Sequence, residues 1–238
     1  MLILALDTSS KAASCALWQD GALRGEYFAD AGLTHSQTIM PMVQALLRHT
    51  HTGLEQVDRF AVSAGPGSFT GLRIGISSVM GLALGTGKPC VSVSTLESLA
   101  WNLCCVQGLV APVMDARRSQ VYTALFRCHG DGAQRVTQDE ALSIDALGRR
   151  LESLGEPVTL VGDGAALCHG LLARRARLRL CPAQLRHQRA GSVAAVAALR
   201  EQTISPADLR PSYLRLPQAE RELLEKTLLK KKPKEEPT

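Results

Sequence analysis

Leu4-Ala5-Leu6-Asp7 and Pro112-Val113-Met114-Asp115 stand 108 residues apart, and each is a short apolar run closed by an aspartate. At the same offset Ala16-Leu17-Trp18 falls on Ala124-Leu125-Phe126. Asp-Gly follows in both places, at Asp20-Gly21 and, three residues late, at Asp131-Gly132. A continuous apolar run of this length reads as a buried strand. Asp-Gly between two strand-like runs reads as a hairpin, because both central residues of the tight turn must accept positive φ. Self-similarity at one offset marks an internal duplication.

Around the first copy, Leu2 to Leu6, Ser14 to Gln19 and Ala22 to Phe28 read as three consecutive strands. Ser36 is placed to cap a helix running to about His49, with Ile39, Met42, Val43, Leu46 and Leu47 on one apolar stripe. Arg59 to Ala64 is a strand, Gly65-Pro66-Gly67 a tight turn, and a helix from about Thr70 to Leu84 follows. Cys90 to Val93 is a further strand and Thr95 to Cys105 a further helix, so the order is β-β-β-α-β-α-β-α. The second copy is shorter: a helical stretch from Ser143 to Leu154, a strand from Val158 to Val161, then Gly162 and Gly164 where the first copy has Gly65 and Gly67.

After the second copy, Gly191 precedes an Ala/Val-rich helix, Val193 to Arg200, that is expected to return to the first lobe. The organisation expected is therefore residues 1–105 with a return helix at about 190–205, a smaller lobe at 106–189, and a C-terminal segment and charged tail at 206–238. The last fifteen or so residues are expected to be mobile or weakly helical. Tandem β-β-β-α-β-α units, each with an acid at the end of its first strand, predict a two-lobed α/β protein with a cleft between the lobes. That architecture resembles the superfamily of actin, sugar kinases and chaperone ATPases, in which the first-strand hairpins grip nucleotide phosphates and the later glycine turn lies near the adenosine. Fold likeness alone does not give function.

Composition bounds the partners. The chain has 238 residues, 45% of them hydrophobic, and a mean hydropathy of +0.02, so it can bury a real core. Only 4% are aromatic, which disfavours a sheet that reads unpaired bases by stacking. Net charge is +5, and the excess belongs to the second half: residues 1–100 carry six Lys and Arg against seven Asp and Glu, the remainder 21 against 15. Arg174, Arg175, Arg177 and Arg179 crowd together, and Lys230, Lys231 and Lys232 follow; a nucleic-acid footprint and a solvated face are both open readings. Seven cysteines without a C-x-x-C pair fit reduced thiols in the cytoplasm. Leu2 to Leu6 has no basic residue before it and ends at Asp7, so no leader peptide is expected. Phe69 to Thr86 approaches membrane-span length but contains Arg73, Ser77 and Ser78, and is read as a helix of a soluble domain with no membrane partner.

Candidate chemistry is sparse. Gly65 to Gly75 opens a helix without the Gly-Lys-Ser/Thr of a P-loop, and Pro66 stands where a Gly-x-Ser-x-Gly elbow needs glycine. Gly71, Gly75 and Gly81 within one helix cost about 2–3 kcal/mol relative to alanine; close packing on the chain's own sheet and close approach of a partner helix both explain them. Asp7-Thr8-Ser9-Ser10 and Asp115, facing it across the cleft, could hold phosphate or magnesium, or be turn residues of a degenerate nucleotide cleft. Arg117, Gly162 and Gly164 belong to that cleft. The histidines have no His-x-x-x-His pair, so no metal site is expected.

Asp7-Thr8-Ser9, His35-Ser36, Gly65-Pro-Gly-Ser-Phe-Thr-Gly-Leu-Arg-Ile-Gly75, Ser94-Thr95-Leu96-Glu97, Asp115-Ala116-Arg117 and Tyr213-Leu214-Arg215 occur in that order, and with them the chain resembles the bacterial TsaB (YeaZ) family over roughly residues 1–216. The resemblance implies a cytoplasmic role in making threonylcarbamoyladenosine next to the tRNA anticodon. It implies a non-catalytic scaffold beside a TsaD-like paralogue, which transfers the threonylcarbamoyl group from threonylcarbamoyl-AMP to adenosine N6, with a TsaE-like ATPase joining them. It implies pairing, with a second copy or with the TsaD-like chain, through the first two helices, and so an interface at His35, Ser36, Ile39, Met42, Val43, Leu46, Gly71, Leu72, Gly75, Ile76 and Val79. tRNA is then met indirectly through the complex. Where TsaD-like chains carry a His-x-x-x-His metal motif, this one has Ser94-Thr95-Leu96-Glu97-Ser98-Leu99-Ala100. No resident cofactor is expected, with weak ATP or ADP binding at the cleft or the partner interface left open. The rival reading is a self-sufficient nucleotide-dependent phosphotransferase using Asp7 and Asp115.

Overall fold

In the computed structural model, which describes residues 1–215, β1 (Leu2–Asp7) is buried from end to end. It pairs antiparallel with β2 (Ala13–Gln19), Leu4 opposite Leu17, and β2 pairs antiparallel with β3 (Ala22–Ala29). The turn between β2 and β3 is Asp20-Gly21, with φ of 48° and 86°, the two positive values a tight hairpin demands. On its other side β1 runs parallel to β4 (Arg59–Gly65), which runs parallel to β5 (Cys90–Ser94), giving the order β3-β2-β1-β4-β5.

Side chains alternate across this sheet. Leu4 and Leu6 pack with Ile39, Val43 and Leu46 of α1 (His35–His49) and with Ile76, Val79 and Ala83 of α2 (Phe69–Thr86). Ile3 and Ala5 pack on the opposite face with Val193, Ala194 and Ala197 of α6 (Ala190–Ala198). α2 is long and apolar enough to cross a membrane by length and composition alone; in the fold one side of it is buried, with Leu72, Ile76 and Val79 turned into the lobe.

The second sheet repeats the plan around β6 (Gln107–Asp115). Its order is β10-β7-β6-β11-β12, with β7 (Gln120–Thr123), β10 (Glu140–Ser143), β11 (Val158–Val161) and β12 (Leu178–Leu180). β8 (Phe126–His129) pairs with β6, and β9 (Ala133–Arg135) with β8. One face packs on Leu96, Leu99 and Ala100 of α3 (Thr95–Trp101); the other on Leu147 and Leu151 of α4 (Ile144–Ser153) and on Cys168 and Leu172 of α5 (Ala165–Leu172). α3 and α6 thus lie between the sheets, with α1 and α2 outside one and α4 and α5 outside the other.

Several local expectations are corrected. The strand expected through Ala124-Leu125-Phe126 is broken in two, because its partner Pro112 has no N–H to give to the ladder. Leu125 turns away, donating its N–H to Thr137 Oγ1 at 2.8 Å and accepting from Val136 N at 2.8 Å. The cap of α1 falls at Thr34 rather than Ser36, whose hydroxyl reaches Thr34 Oγ1 at 3.4 Å and caps nothing. α3 ends at Trp101, short of Cys105, and Asn102 caps it, its backbone N–H bonding Leu99 O at 3.2 Å while its side-chain Nδ2 donates to the carbonyls of Leu185 at 2.9 Å and His187 at 2.8 Å. β10 and β12 were not foreseen as elements, while the third strand and second helix of the second unit, given no bounds in the sequence, fall at β9 and α5. The expectation of a mobile or weakly helical tail falls on residues outside those described.

Candidate functional site

Between the lobes lies a cleft of about 290 Å³ lined by Ser9, Ser10 and Lys11 of the β1–β2 turn, Gly67, Ser68 and Phe69 at the start of α2, Met114 to Arg118 at and just beyond the end of β6, Tyr122 of β7, and Asp163 after β11. Each contribution comes from a strand end or helix start, where fold elements leave backbone groups free.

Asp7 does not face this cleft. Its side chain is wholly buried beneath the turn. Oδ1 accepts from Ser9 N at 2.9 Å and Ser9 Oγ at 2.7 Å, and Oδ2 accepts from Ser63 Oγ. Burial pushes its pKa up, against the pull of those hydrogen bonds and of the nearby His35. Asp7 is the buried anchor of the β1–β2 turn, which corrects its placement opposite Asp115. Thr8 is likewise turned inward, its hydroxyl donating to Gly71 O at 2.8 Å. Ser9 and Ser10 line the cleft, and His35 Nε2 supports Ser10 by donating to its carbonyl at 2.7 Å.

Asp115 lines the cleft, but its carboxylate is spent locally. Oδ1 accepts from Arg117 N at 2.7 Å, and Oδ2 lies 3.7 Å from Arg117 Nη1. The turn it caps is strained: Arg117, Arg118 and Ser119 have φ of 65°, 54° and 55°. Left-handed backbone costs about 1–2 kcal/mol per non-glycine residue. Ala116 N to Gln120 O at 2.9 Å and Ile144 N to Ser119 O at 3.0 Å hold it in place.

The acid that joins the lobes is Asp163. It accepts from Ser10 Oγ at 2.7 Å on Oδ2 and from Asp115 N at 3.1 Å on Oδ1. Its signal in the sequence was its position between Gly162 and Gly164. Those glycines do not line the cleft. Gly162, at φ +112°, has no room for a Cβ beside Val113 O, and a Cβ on Gly164 would stand 3.1 Å from Asp115 N. They let the loop carrying Asp163 press against the end of β6. Lys11, Arg118 and Tyr122 are further cleft residues that local motif reading missed.

The C-terminal segment closes one side. Ser212 N donates to Ala64 O at 2.7 Å, the Tyr213 ring lies 4.4 Å from that of Phe69, Arg73 Nε donates to Tyr213 Oη at 2.9 Å, and Arg215 Nη1 donates to Ala116 O at 2.8 Å. Tyr213-Leu214-Arg215 is thereby a strap from the first lobe to the rim of the second.

The expected interface residues divide. Ile39, Val43, Leu46, Leu72, Ile76 and Val79 are buried in the chain's own core, and Gly71 and Gly75 face Thr8. His35 and Met42 are half-buried, and Ser36 is exposed. Outward from α1 and α2 stand, among others, Gln37, Gln44, Thr70, Ser77, Gly81 and Gly85. The segment Ser94 to Ala100 is structural: Ser94 Oγ donates to Asp139 at 2.6 Å, and Glu97 pairs with Arg200 at 2.5 Å. Among the described residues, no three His, Cys, Asp or Glu side chains group so as to hold a metal ion.

A duplicated, two-lobed α/β body with hairpin turns lining the central cleft is the fold of actin-like ATPases and sugar kinases. The ethanolamine utilization protein EutJ from Carboxydothermus hydrogenoformans shares that fold at TM-score 0.50 and 13% identity, over 82% of this chain and 90% of that one. A family model described as "TsaD: tRNA N6-adenosine threonylcarbamoyltransferase" matches residues 29–223. The tRNA threonylcarbamoyladenosine biosynthesis protein TsaB of Escherichia coli is 38% identical over 69% of this chain and 72% of its own length. That of Bacillus subtilis is 30% identical over 94% and 99%. A crystal structure described as an uncharacterized protein with similarity to peptidase YEAZ from Pseudomonas aeruginosa superposes at TM-score 0.76 and 30% identity, covering 90% of this chain and 99% of that one. The chain belongs to the TsaB (YeaZ) family, whose curated members are named for tRNA threonylcarbamoyladenosine biosynthesis.

Proposed function

We propose that the chain is the non-catalytic scaffold subunit in threonylcarbamoyl transfer from threonylcarbamoyl-AMP to N6 of the adenosine next to the tRNA anticodon. It docks a TsaD-like catalytic paralogue through the outer faces of α1 and α2, a TsaE-like ATPase joins the pair, and alone it pairs with a second copy. It works in the cytoplasm and without a resident cofactor. Family membership supports the pathway. The observation that carries the non-catalytic reading is the burial of Asp7: a phosphotransferase using this acid needs it in the cleft, and it lies under the turn, bound by Ser9 and Ser63.

The outer faces of α1 and α2 support the docking reading in a second way. Ser77, Gly81 and Gly85 follow one another at four-residue spacing on the solvent side of α2, and nothing stands within 4 Å of where a Cβ would be on either glycine. Small exposed residues at that spacing let another helix approach closely. The test is to combine the purified chain, the paralogue and the ATPase with threonylcarbamoyl-AMP and unmodified tRNA, and to quantify the modified nucleoside by mass spectrometry. Product is expected only when this chain is present; full activity of the paralogue without it overturns the reading.

A further inference from the structure

We propose that the rim of the inter-lobe cleft is a phosphate-binding surface that holds the backbone of tRNA, through Lys11, Arg117 and Arg118. The inference takes the nucleic acid from the proposed function and adds that this chain touches it directly, at a named place.

The three cations line one cleft. The carboxylates among them are already engaged: Asp163 by Ser10 Oγ and the Asp115 N–H, Asp115 by Arg117. Lys11 and Arg118 carry no ion pair among the described residues, and both are exposed. Three cations thus stand against two carboxylates in this cleft, an excess of one positive charge, and the two unpaired cations are the ones that reach out at its mouth.

The rim is also held in shape against a cost. Three consecutive left-handed residues, Arg117 to Ser119, persist because Asp115, Gln120 and Ile144 fix them. Strain of this kind gathers where a surface has to present particular groups. Here it presents two adjacent arginines beside a lysine from the other lobe, with Arg215 anchored one residue away at Ala116 O.

Exposure separates an extended polyanion from a small phosphate. The Arg117 side chain is 79% exposed. Cations standing out around a mouth can meet successive phosphates and release their counterions, whereas a cradle for one phosphate would enclose it. Of the two aromatic rings lining the cleft, Phe69 is packed against Tyr213 and Tyr122 is buried, so neither stands free for a base.

The Arg-rich stretch that the sequence offered as a footprint is less suited. Arg175 is paired with Asp145 at 2.7 Å and lies 3.8 Å from Glu152. Leu178 and Leu180 of β12 pack into the α4–α5 core, so alternation sends Arg179 to the opposite face of the sheet, while Arg174 stands just beyond α5. Those charges diverge around an edge strand, where arginine also serves to block edge pairing.

The experiment is fluorescence anisotropy of the full chain with labelled unmodified tRNA, at salt from about 50 to 200 mM. Wild type is compared with Lys11→Gln/Arg118→Gln and with Arg174→Gln/Arg177→Gln/Arg179→Gln. Thermal melts confirm that each variant is folded, and the C-terminal lysines are common to all three. The rim variant is expected to lower the slope of log K against log salt by about two, roughly one per lost phosphate contact, and the second variant by less than one. Equal slopes for wild type and rim variant, a loss carried by the second variant, or no binding by wild type at about 100 µM overturns the proposal. Calorimetry with inorganic phosphate and with ATP forms the other arm: saturable binding that the rim variant loses, without tRNA binding, overturns the RNA assignment in favour of a small phosphate. An intact RNA slope beside a failed nucleoside assay would remove the scaffold reading and leave this one standing.

Discussion

Gly75 stands against Thr8 where α2 crosses the end of β1, and a Cβ on the glycine would collide with the threonine Oγ1. One turn earlier Gly71 meets the Thr8 carbonyl in the same way, and the Thr8 hydroxyl donates to Gly71 O at 2.8 Å. The two glycines are what let the helix approach the strand end that carries the cleft turn.

Adding a methyl there should be costly. Gly71→Ala is expected to destabilise the chain by about 2–3 kcal/mol, since the atom it strikes is backbone. Gly81→Ala, with open space around it, should stabilise it by up to about 1 kcal/mol. Urea denaturation of the two variants checks this; equal stabilities would contradict the packing of α2.

The docking face can be tested without touching the core. Ser77→Arg on α2 and Gln44→Glu on α1, both exposed, should each weaken association with the TsaD-like paralogue at least ten-fold, about 1.4 kcal/mol, in analytical ultracentrifugation. Their melting temperatures should stay close to wild type. Gly75→Leu is unsuitable for this purpose, because it would unfold the contact with Thr8 before it reached any partner.

The buried Asp7 makes stability depend on pH. Its pKa is raised in the folded chain by burial, so between its unfolded value near 3.8 and its higher folded value the native state holds the proton more tightly. This group's contribution is fully present below about pH 3.8 and is lost as pH rises through the folded value. Asp7→Asn, which keeps an oxygen for Ser9, should flatten that loss. Melting temperatures of both proteins from about pH 4 to 7 give the comparison, and parallel curves would refute the assignment.

Asp163 should behave as a latch. Removing its carboxylate in Asp163→Ala frees the Ser10 hydroxyl and the Asp115 N–H, at a cost of about 2 kcal/mol. Faster amide hydrogen exchange is expected at Asp115 and in the Ser9 to Lys11 turn, with little change in α4. Unchanged exchange at Asp115 would show that the contact does not hold the lobes.

Much of this was legible in local sequence. The apolar run before Asp7, the Asp20-Gly21 turn and the repeat at Pro112 to Asp115 act through neighbours along the chain, so they betray the strand order. Arg118 and Lys11 were passed over because a cation in a turn has no meaning until another lobe brings a second one beside it. Asp163 was hidden for the same reason, although the glycines on either side marked its loop. The strand break at Ala124 needed knowledge of its partner, since the missing N–H belongs to Pro112 twelve residues away.

The amino-acid sequence by itself determined the duplicated α/β plan and the family, because alternation, turn chemistry and motif order are properties of contiguous residues. Only the tertiary structure decided which face of α2 turns inward. That helix is apolar on most sides, so its pattern does not choose between a core and a partner; contact between residues 8 and 71 does. The same holds for the site. Whether Asp7 is a cleft acid or a buried anchor depends on Ser63 reaching it, and whether the lobes are joined depends on Ser10 meeting Asp163, pairings set by packing across the fold.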